Sequence, residues 1–206
     1  MKKLKKTNLS ITLNIIGNVL IGIAFILSAF TLGPAAKEEV KYTAKNIVQK
    51  VAGGEVAQKD IEPPNKDFSI VIPKIDAVAP VFANVDPYNA NEYLSVLRNG
   101  VAHAEGTPLP GSAGNVYIFA HSTDAFYNVG RYNAIFYLLG KLEKDDEIYV
   151  YYDGEKITYK VLETKVVSPY ALKYLGDLGI GKSLTLQTCY PPGTTLKRLV
   201  VVATQV

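Results

Sequence analysis

The chain has one cysteine, Cys189, and two histidines, His103 and His121, among its 206 residues. A single thiol makes neither an intramolecular disulfide nor a cysteine-rich metal site, so it is either a buried small hydrophobe or a nucleophile. Its setting favours the nucleophile. Cys189 closes the apolar run SLTLQT at 183–188 and precedes Tyr190-Pro191-Pro192-Gly193. A strand end holds a reactive group rigidly, and the loop beyond leaves it open to substrate. A free thiol is mostly protonated at neutral pH and needs a base or a cation before it attacks an amide carbonyl. His121 ends a second apolar strand, VYIFA at 116–120, so two neighbouring strand mouths would bring imidazole and thiol together. Arg198 follows Cys189 by nine positions, in LKRLVV. Its fixed cation suits orienting a substrate carbonyl and stabilising negative charge on it. Taken alone, His121 also fits a hydrogen-bonded strand-end histidine, and Arg198 a surface arginine on an edge strand. His103, in the turn-like VAHAEG, suits an accessory hydrogen-bonding role.

The elements that must carry these groups are mostly strands. SIVIPKI at 69–75 is a strand that Pro73 turns into an edge or a kink. Residues 78–85 are a second extended segment, and 93–97 make a helical turn or two before Asn99-Gly100. Residues 126–139 are loop followed by short helix. The runs at 147–152 and 156–167 flank Asp153-Gly154, a turn pair that accepts positive φ and so predicts a hairpin. Residues 183–188 and 196–206 are the last two strands. Seven or eight short strands with few helices hide their edges best in a closed or nearly closed barrel.

Composition agrees with that architecture. Hydrophobic residues make up 48% and there are 14 tyrosines and no tryptophan, which suits a packed, strand-rich core. The net charge of +3 is weak evidence for any partner, because Lys2, Lys3, Lys5 and Lys6 alone exceed it, and no basic stripe points to nucleic acid.

Residues 10–32 carry no charge and are long enough to cross an apolar layer about 30 Å thick at roughly 1.5 Å per residue. The lysines just before them set the N-terminus in the cytoplasm and the remainder outside. A cleaved signal peptide shares the basic start and apolar middle. The run is longer than a usual signal core, however, and no small-x-small cleavage site stands out, so it is read as a retained anchor. The expected organisation is a basic cytoplasmic tail at 1–9, a transmembrane anchor at 10–32, an extracytoplasmic stalk at 33–67 and a catalytic domain at 68–206. The stalk would hold a short helix at 37–51 and the linker doublets Gly53-Gly54 and Pro63-Pro64.

TLQTC at 185–189, a short loop and then Arg198 resemble the TLxTC signature and downstream arginine of the sortases. GNVYIFAHS at 114–122 is similar to the histidine strand of that family, VAHAEGTPLPGSAGN at 101–115 to its approach, and VIPKIDAVAPVF at 71–82 to its opening segment. The similarity runs from residue 68 onward in the family's order. It implies a mainly β fold, the closed eight-stranded sortase-type β-barrel with short helices in connecting loops. It also implies catalytic roles for His121, Cys189 and Arg198. His103 matches a secondary histidine of many relatives. Ala120 stands where the family usually has glycine, a small change. Asp86-Pro87-Tyr88 is similar to the lid motif of pilin-polymerising sortases but follows the opening strands, so no lid is assigned, and the subclass is closer to housekeeping, class D or class E types. Glu143, Asp145, Asp146 and Glu147 read as a solvated turn, and neither metal nor cofactor is expected.

The resemblance implies a cysteine transpeptidase that cleaves LPxTG-like sorting signals through a thioacyl intermediate and transfers the protein to an amine acceptor at the cell surface. Surface proteins bearing the signal, a cell-wall precursor or protein amine, and the membrane would be its partners. Thr188 would assist through its hydroxyl or backbone. Tyr190, with Phe126, Tyr127 and Tyr132 in the segment after His121, would bind substrate. An L,D-transpeptidase is disfavoured because its histidine and cysteine lie in one compact motif. A membrane-tethered peptide- or wall-binding barrel without catalysis is the non-enzymatic alternative. An outer-membrane barrel fails on strand length.

Overall fold

The computed structural model describes residues 2–51, 61–123, 132 and 134–206. Eight strands are formed: β1 (Phe68–Ile72), β2 (Ala77–Val85), β3 (Val101–Ala104), β4 (Gly114–Phe119), β5 (Glu147–Tyr152), β6 (Glu155–Val167), β7 (Lys182–Tyr190) and β8 (Lys197–Gln205). They close in the order β1-β2-β3-β4-β7-β8-β6-β5, so the expected eight-stranded barrel is what the chain adopts. Closure is sealed where β1 pairs with β5, Phe68 opposite Tyr152. Ile70, Ile72, Ile118, Leu184, Leu186 and Val201 are fully buried in the core, each contributing about 1.5–3 kcal/mol by leaving water.

The β5–β6 hairpin turns at Asp153 (φ 49°) and Gly154 (φ 83°), as the Asp-Gly pair predicts. Two pairings are parallel, β2 with β3 and β4 with β7. A parallel pair needs a long crossover. Here the crossover from β4 to β7 contains the whole β5–β6 hairpin, and it leaves the C-terminal ends of β4 and β7 at the same rim. Buried polar side chains tie this pair together. Asn115 Oδ1 accepts from Ser183 Oγ (3.2 Å) and Thr185 Oγ1 (3.0 Å), while Asn115 Nδ2 donates to the Tyr174 carbonyl (2.6 Å).

Three local expectations are corrected. Pro73 neither kinks nor marks an edge; it opens a 3-10 turn, Pro73–Ile75, that ends a fully buried strand paired on both sides. A ring-fixed φ and a missing N–H suit a first helical position better than a ladder. VAHA is strand β3 instead of a turn, because β2 offers it a parallel partner along Val81–Val101 and Phe82–Ala102. The helical residues before 97 extend further back, as helix α2 (Ala90–Leu97), where the side chain of Asn89 caps the Glu92 N–H.

The largest difference lies at the N-terminus. One helix, here α1, runs Lys2–Val51 without a break, joining the apolar run to the helix expected at 37–51. Its Ile11–Ser28 stretch is exposed, and is long and apolar enough to cross a membrane. Its C-terminal part docks on the barrel. Lys45 Nζ donates to the Pro73 carbonyl (2.8 Å) and pairs with Asp76 (2.8 Å), Lys41 lies 3.7 Å from Asp76, and Glu39 pairs with Lys141 at 2.7 Å. Residues 53 and 54 lie outside the described residues.

Candidate active site

The site is assembled at the rim shared by β4, β7 and β8. In the antiparallel β7–β8 ladder, Cys189 is directly opposite Arg198. In the parallel β4–β7 ladder the register reaches Phe119 opposite Gln187, and the Ala120 N–H extends it by donating to the Gln187 carbonyl (3.1 Å). Thr188 Oγ1, buried, donates back to the Ala120 carbonyl at 2.9 Å. One residue further along each chain stand His121 and Cys189. The two strand mouths therefore meet as the sequence suggests. The His121 backbone is held on its other side, where its carbonyl accepts from the Phe136 N–H (3.4 Å).

Cys189 is half-buried and, among the described residues, the one free cysteine. Burial pushes its thiol pKa up, and the nearby Arg198 guanidinium pulls it down without cancelling the rise. Arg198 Nη1 donates to the carbonyls of Thr195 (3.0 Å) and Lys197 (3.1 Å), which fixes the cation over its own loop. The same guanidinium opposes the upward push of burial on Tyr117, whose hydroxyl donates to Gln187 Oε1 at 2.5 Å.

The β7–β8 loop is tightened by Thr194, which donates to the Pro191 carbonyl from its N–H (3.0 Å) and from its hydroxyl (2.8 Å). Gly193 sits at φ 77°, and a Cβ there would meet Thr123 Oγ1 at 3.3 Å. Glycine thus permits both the left-handed turn and the close approach of this loop to the segment after His121. Between them lies a cavity of about 420 Å³. Thr188, Cys189, Tyr190, Pro192 and Leu199 wall it on the β7–β8 side; Ser122, Tyr137, Gly140 and Lys141 wall it on the other, and α1 adds Glu39.

The sortase domain profile matches residues 70–206, from within β1 to the last residue. The chain belongs to the sortase family. It is 26% identical over 133 residues to Sortase D of Bacillus subtilis, a match spanning 63% of the chain and 59% of that protein, less than two thirds of its length. Among solved structures, a lid mutant of sortase A from Corynebacterium diphtheriae is 32% identical, covers 72% of this chain and 73% of that one, and superposes with a TM-score of 0.57. Sortase C2 of pilus island 1 from Group B Streptococcus is 30% identical, covers 68% and 73%, and has a TM-score of 0.56.

Within this sortase barrel the residues singled out from sequence fall into three groups. Cys189, Arg198, Thr188, Tyr190 and the backbone of His121 converge on one rim. His103 is apart from it. It is fully buried on β3 opposite Ile118; Nδ1 accepts from the Asn84 N–H (3.2 Å), and Nε2 faces the Pro108 carbonyl (3.1 Å) and Thr107 Oγ1 (3.0 Å). Because Thr107 gives its own proton to the Ala104 carbonyl (2.8 Å), these partners select the neutral tautomer protonated at Nε2. Burial lowers the His103 pKa in the same sense. Tyr132 is half-buried and packs on the core, while Phe126 and Tyr127 lie outside the described residues.

Sequence reasoning missed Ser122, Glu39 and Lys141. Ser122 is buried, lines the cavity and has no hydrogen-bond partner for its hydroxyl. Its position beside His121 was its only signal. Glu39 gave none, lying in a stretch read as stalk. The acidic turn is also more than solvated, since Lys74 pairs with Glu143 (2.7 Å) and Asp146 (2.8 Å).

Proposed function

We propose that this chain is a membrane-anchored cysteine transpeptidase acting on C-terminal sorting signals of the LPxTG kind, with Cys189, His121 and Arg198 as its catalytic residues. One observation carries the reading: Cys189 and Arg198 are directly opposed at a rim reached also by the strand leading into His121. Membership of the sortase family supports it.

Cys189 gives its proton to His121, and the thiolate attacks the substrate carbonyl. Arg198 holds the carbonyl and stabilises the negative charge that develops on its oxygen. The imidazolium then protonates the departing amine, leaving a thioester on Cys189 and a neutral His121. An incoming amine attacks that thioester, its proton passes to His121, and the sulfur departs as thiolate, to be reprotonated. Water in place of the amine gives hydrolysis. A raised thiol pKa means that the resting sulfur is mostly protonated, so the base is needed at the start of each turnover.

Residues 10–32 serve as the anchor, the lysines ahead of them stay in the cytoplasm, and the barrel lies outside, where sorting signal and acceptor share one membrane face. The amine belongs to a cell-wall precursor or to another surface protein. Tyr190, Phe126, Tyr127 and Tyr132 contact the sorting signal.

Cleavage of a peptide carrying the sorting motif, followed by mass spectrometry of the enzyme, tests this. The wild type should cleave the peptide and trap an acyl adduct on Cys189, and Cys189→Ala should do neither while remaining folded. Cleavage by Cys189→Ala at the wild-type rate would refute the assignment.

A further inference from the structure

The cavity beside Cys189 contains a charged pair that the mechanism above does not use. Glu39, on the helix that carries the apolar span, and Lys141, at the end of the 3-10 helix Tyr137–Lys141 that precedes β5, both line it and pair at 2.7 Å. Both side chains are about two-fifths exposed, so the pair can open without a buried charge being stranded. Lys141 is held further by the Tyr42 ring, 5.6 Å from Nζ, and Glu39 rides on a helix segment pinned by Lys45 to Asp76 and Pro73. A sphere of 420 Å³ is roughly 9 Å across, about one Debye length at physiological salt, so a carboxylate on its wall is felt throughout it.

We infer that Glu39 is a specificity-determining residue for the second half of the reaction, drawing acceptors that carry a primary ammonium into the cavity where the thioester waits. This rests on the transpeptidase reading. Primary amines with pKa values near 8 are mostly cationic at neutral pH. A carboxylate concentrates that cation at the site and does nothing for water, the competing nucleophile. The bound ammonium releases one proton to solvent, the free amine attacks the thioester carbon, its second proton passes to His121, and the Cys189 sulfur leaves. Lys141 competes with the acceptor for the same carboxylate and so sets how strongly the acceptor is drawn.

The experiment uses the full chain in lipid nanodiscs with a peptide bearing the sorting motif and measures the ratio of aminolysis to hydrolysis product. Both products come from one thioester, so any change in the first step cancels. Two acceptors are compared: triglycine amide, a cation at neutral pH, and hydroxylamine, which is uncharged there. Glu39→Gln should lower the ratio for triglycine amide about three- to fivefold, the range of a solvent-accessible charge pair, and leave hydroxylamine unmoved. Lys141→Gln should raise the triglycine amide ratio by a similar factor. In about 0.5 M salt both effects should vanish.

Glu39→Gln moving both acceptors together would mark a merely structural residue and overturn the inference, as would an unchanged triglycine amide ratio. In either case, amine transfer by the wild type would leave the transpeptidase reading intact. A wild type that cleaves without ever using an amine, or cleaves nothing, would remove that reading and this inference with it.

Discussion

Cys189 and Arg198 are directly opposed across the β7–β8 ladder, and the guanidinium acts against the upward push that burial exerts on the thiol. Opposed residues in an antiparallel pair have Cα atoms roughly 4.5–5.5 Å apart, so the coupling is built into strand register and needs no loop to close. Register makes the nine-residue separation in sequence a contact in space.

The first prediction concerns that coupling. Alkylation of Cys189 by iodoacetamide follows the thiolate, so its pH profile should turn above the free-thiol value of about 8.5. Arg198→Ala removes the opposing cation and should move the inflection higher still, with kcat/KM for peptide cleavage down about 100-fold. Arg198→Lys should restore most of the inflection but little of the rate, since an ammonium lacks the planar fork. An inflection indifferent to residue 198 would show the two side chains to be uncoupled.

His103 should give the protein an acid-labile limb. Its folded pKa is lowered by burial, so below an unfolded value of about 6.5 the unfolded chain binds a proton that the native state refuses. The stability that neutral His103 supplies is present above that value and is lost as pH falls. Urea midpoints measured from pH 7.5 down to 5 should decline in the wild type and flatten in His103→Gln. The variant should also be about 1–3 kcal/mol less stable at the upper pH, where the Asn84 N–H loses its acceptor.

Thr188 acts on the histidine strand through one hydrogen bond. Thr188→Val keeps the shape but strands the Ala120 carbonyl in a buried place, costing about 1–3 kcal/mol in urea unfolding. Because Ala120 directly precedes His121, kcat should fall more than KM changes. Thr188→Ser should recover both stability and kcat, and failure of that rescue would point to the lost methyl instead of the hydroxyl.

Asp76 fastens α1 to the barrel from a left-handed backbone position (φ 51°). Asp76→Asn tolerates that conformation and removes only the charge, so hydrogen exchange should speed up around Lys41 and Lys45 with little loss of barrel stability, as expected of exposed pairs worth about 0–1 kcal/mol. Asp76→Ala should cost more in the barrel itself, because alanine is strained there. Equal barrel stability in the two variants would remove the backbone part of this account.

Ser122 buries a hydroxyl without a hydrogen-bond partner. Ser122→Ala should therefore leave the free enzyme as stable or raise its melting temperature, unlike Thr188→Val. A drop of several degrees would mean that the hydroxyl is bonded in solution.

Much of this was legible in local patterns. Cys189 and His121 stand out in the sequence because each ends an apolar run, and the barrel sets those two ends at one rim. The β5–β6 hairpin was found because Asp153-Gly154 accepts positive φ, and strand-rich composition with short runs pointed to closure. These are short-range properties, written in the residue itself and its nearest neighbours. Long-range pairing was not legible in the same way. VAHA became a strand because β2 was there to meet it, His103 became a buried neutral acceptor because the Asn84 N–H faced it, and Pro73 began a turn between two paired strands. The plainest case is Glu39. It meets Lys141 across 102 positions of sequence, from a helix that composition divides into anchor and stalk. Periodicity can say that a helix is apolar here and charged there, but not which of its charges will find a partner on a barrel folded a hundred residues away. The sequence alone thus determined which residues are candidates for chemistry and the strands that carry them. Tertiary structure decided which side chains share the cavity, because that depends on strand order and docking contacts that no local pattern encodes.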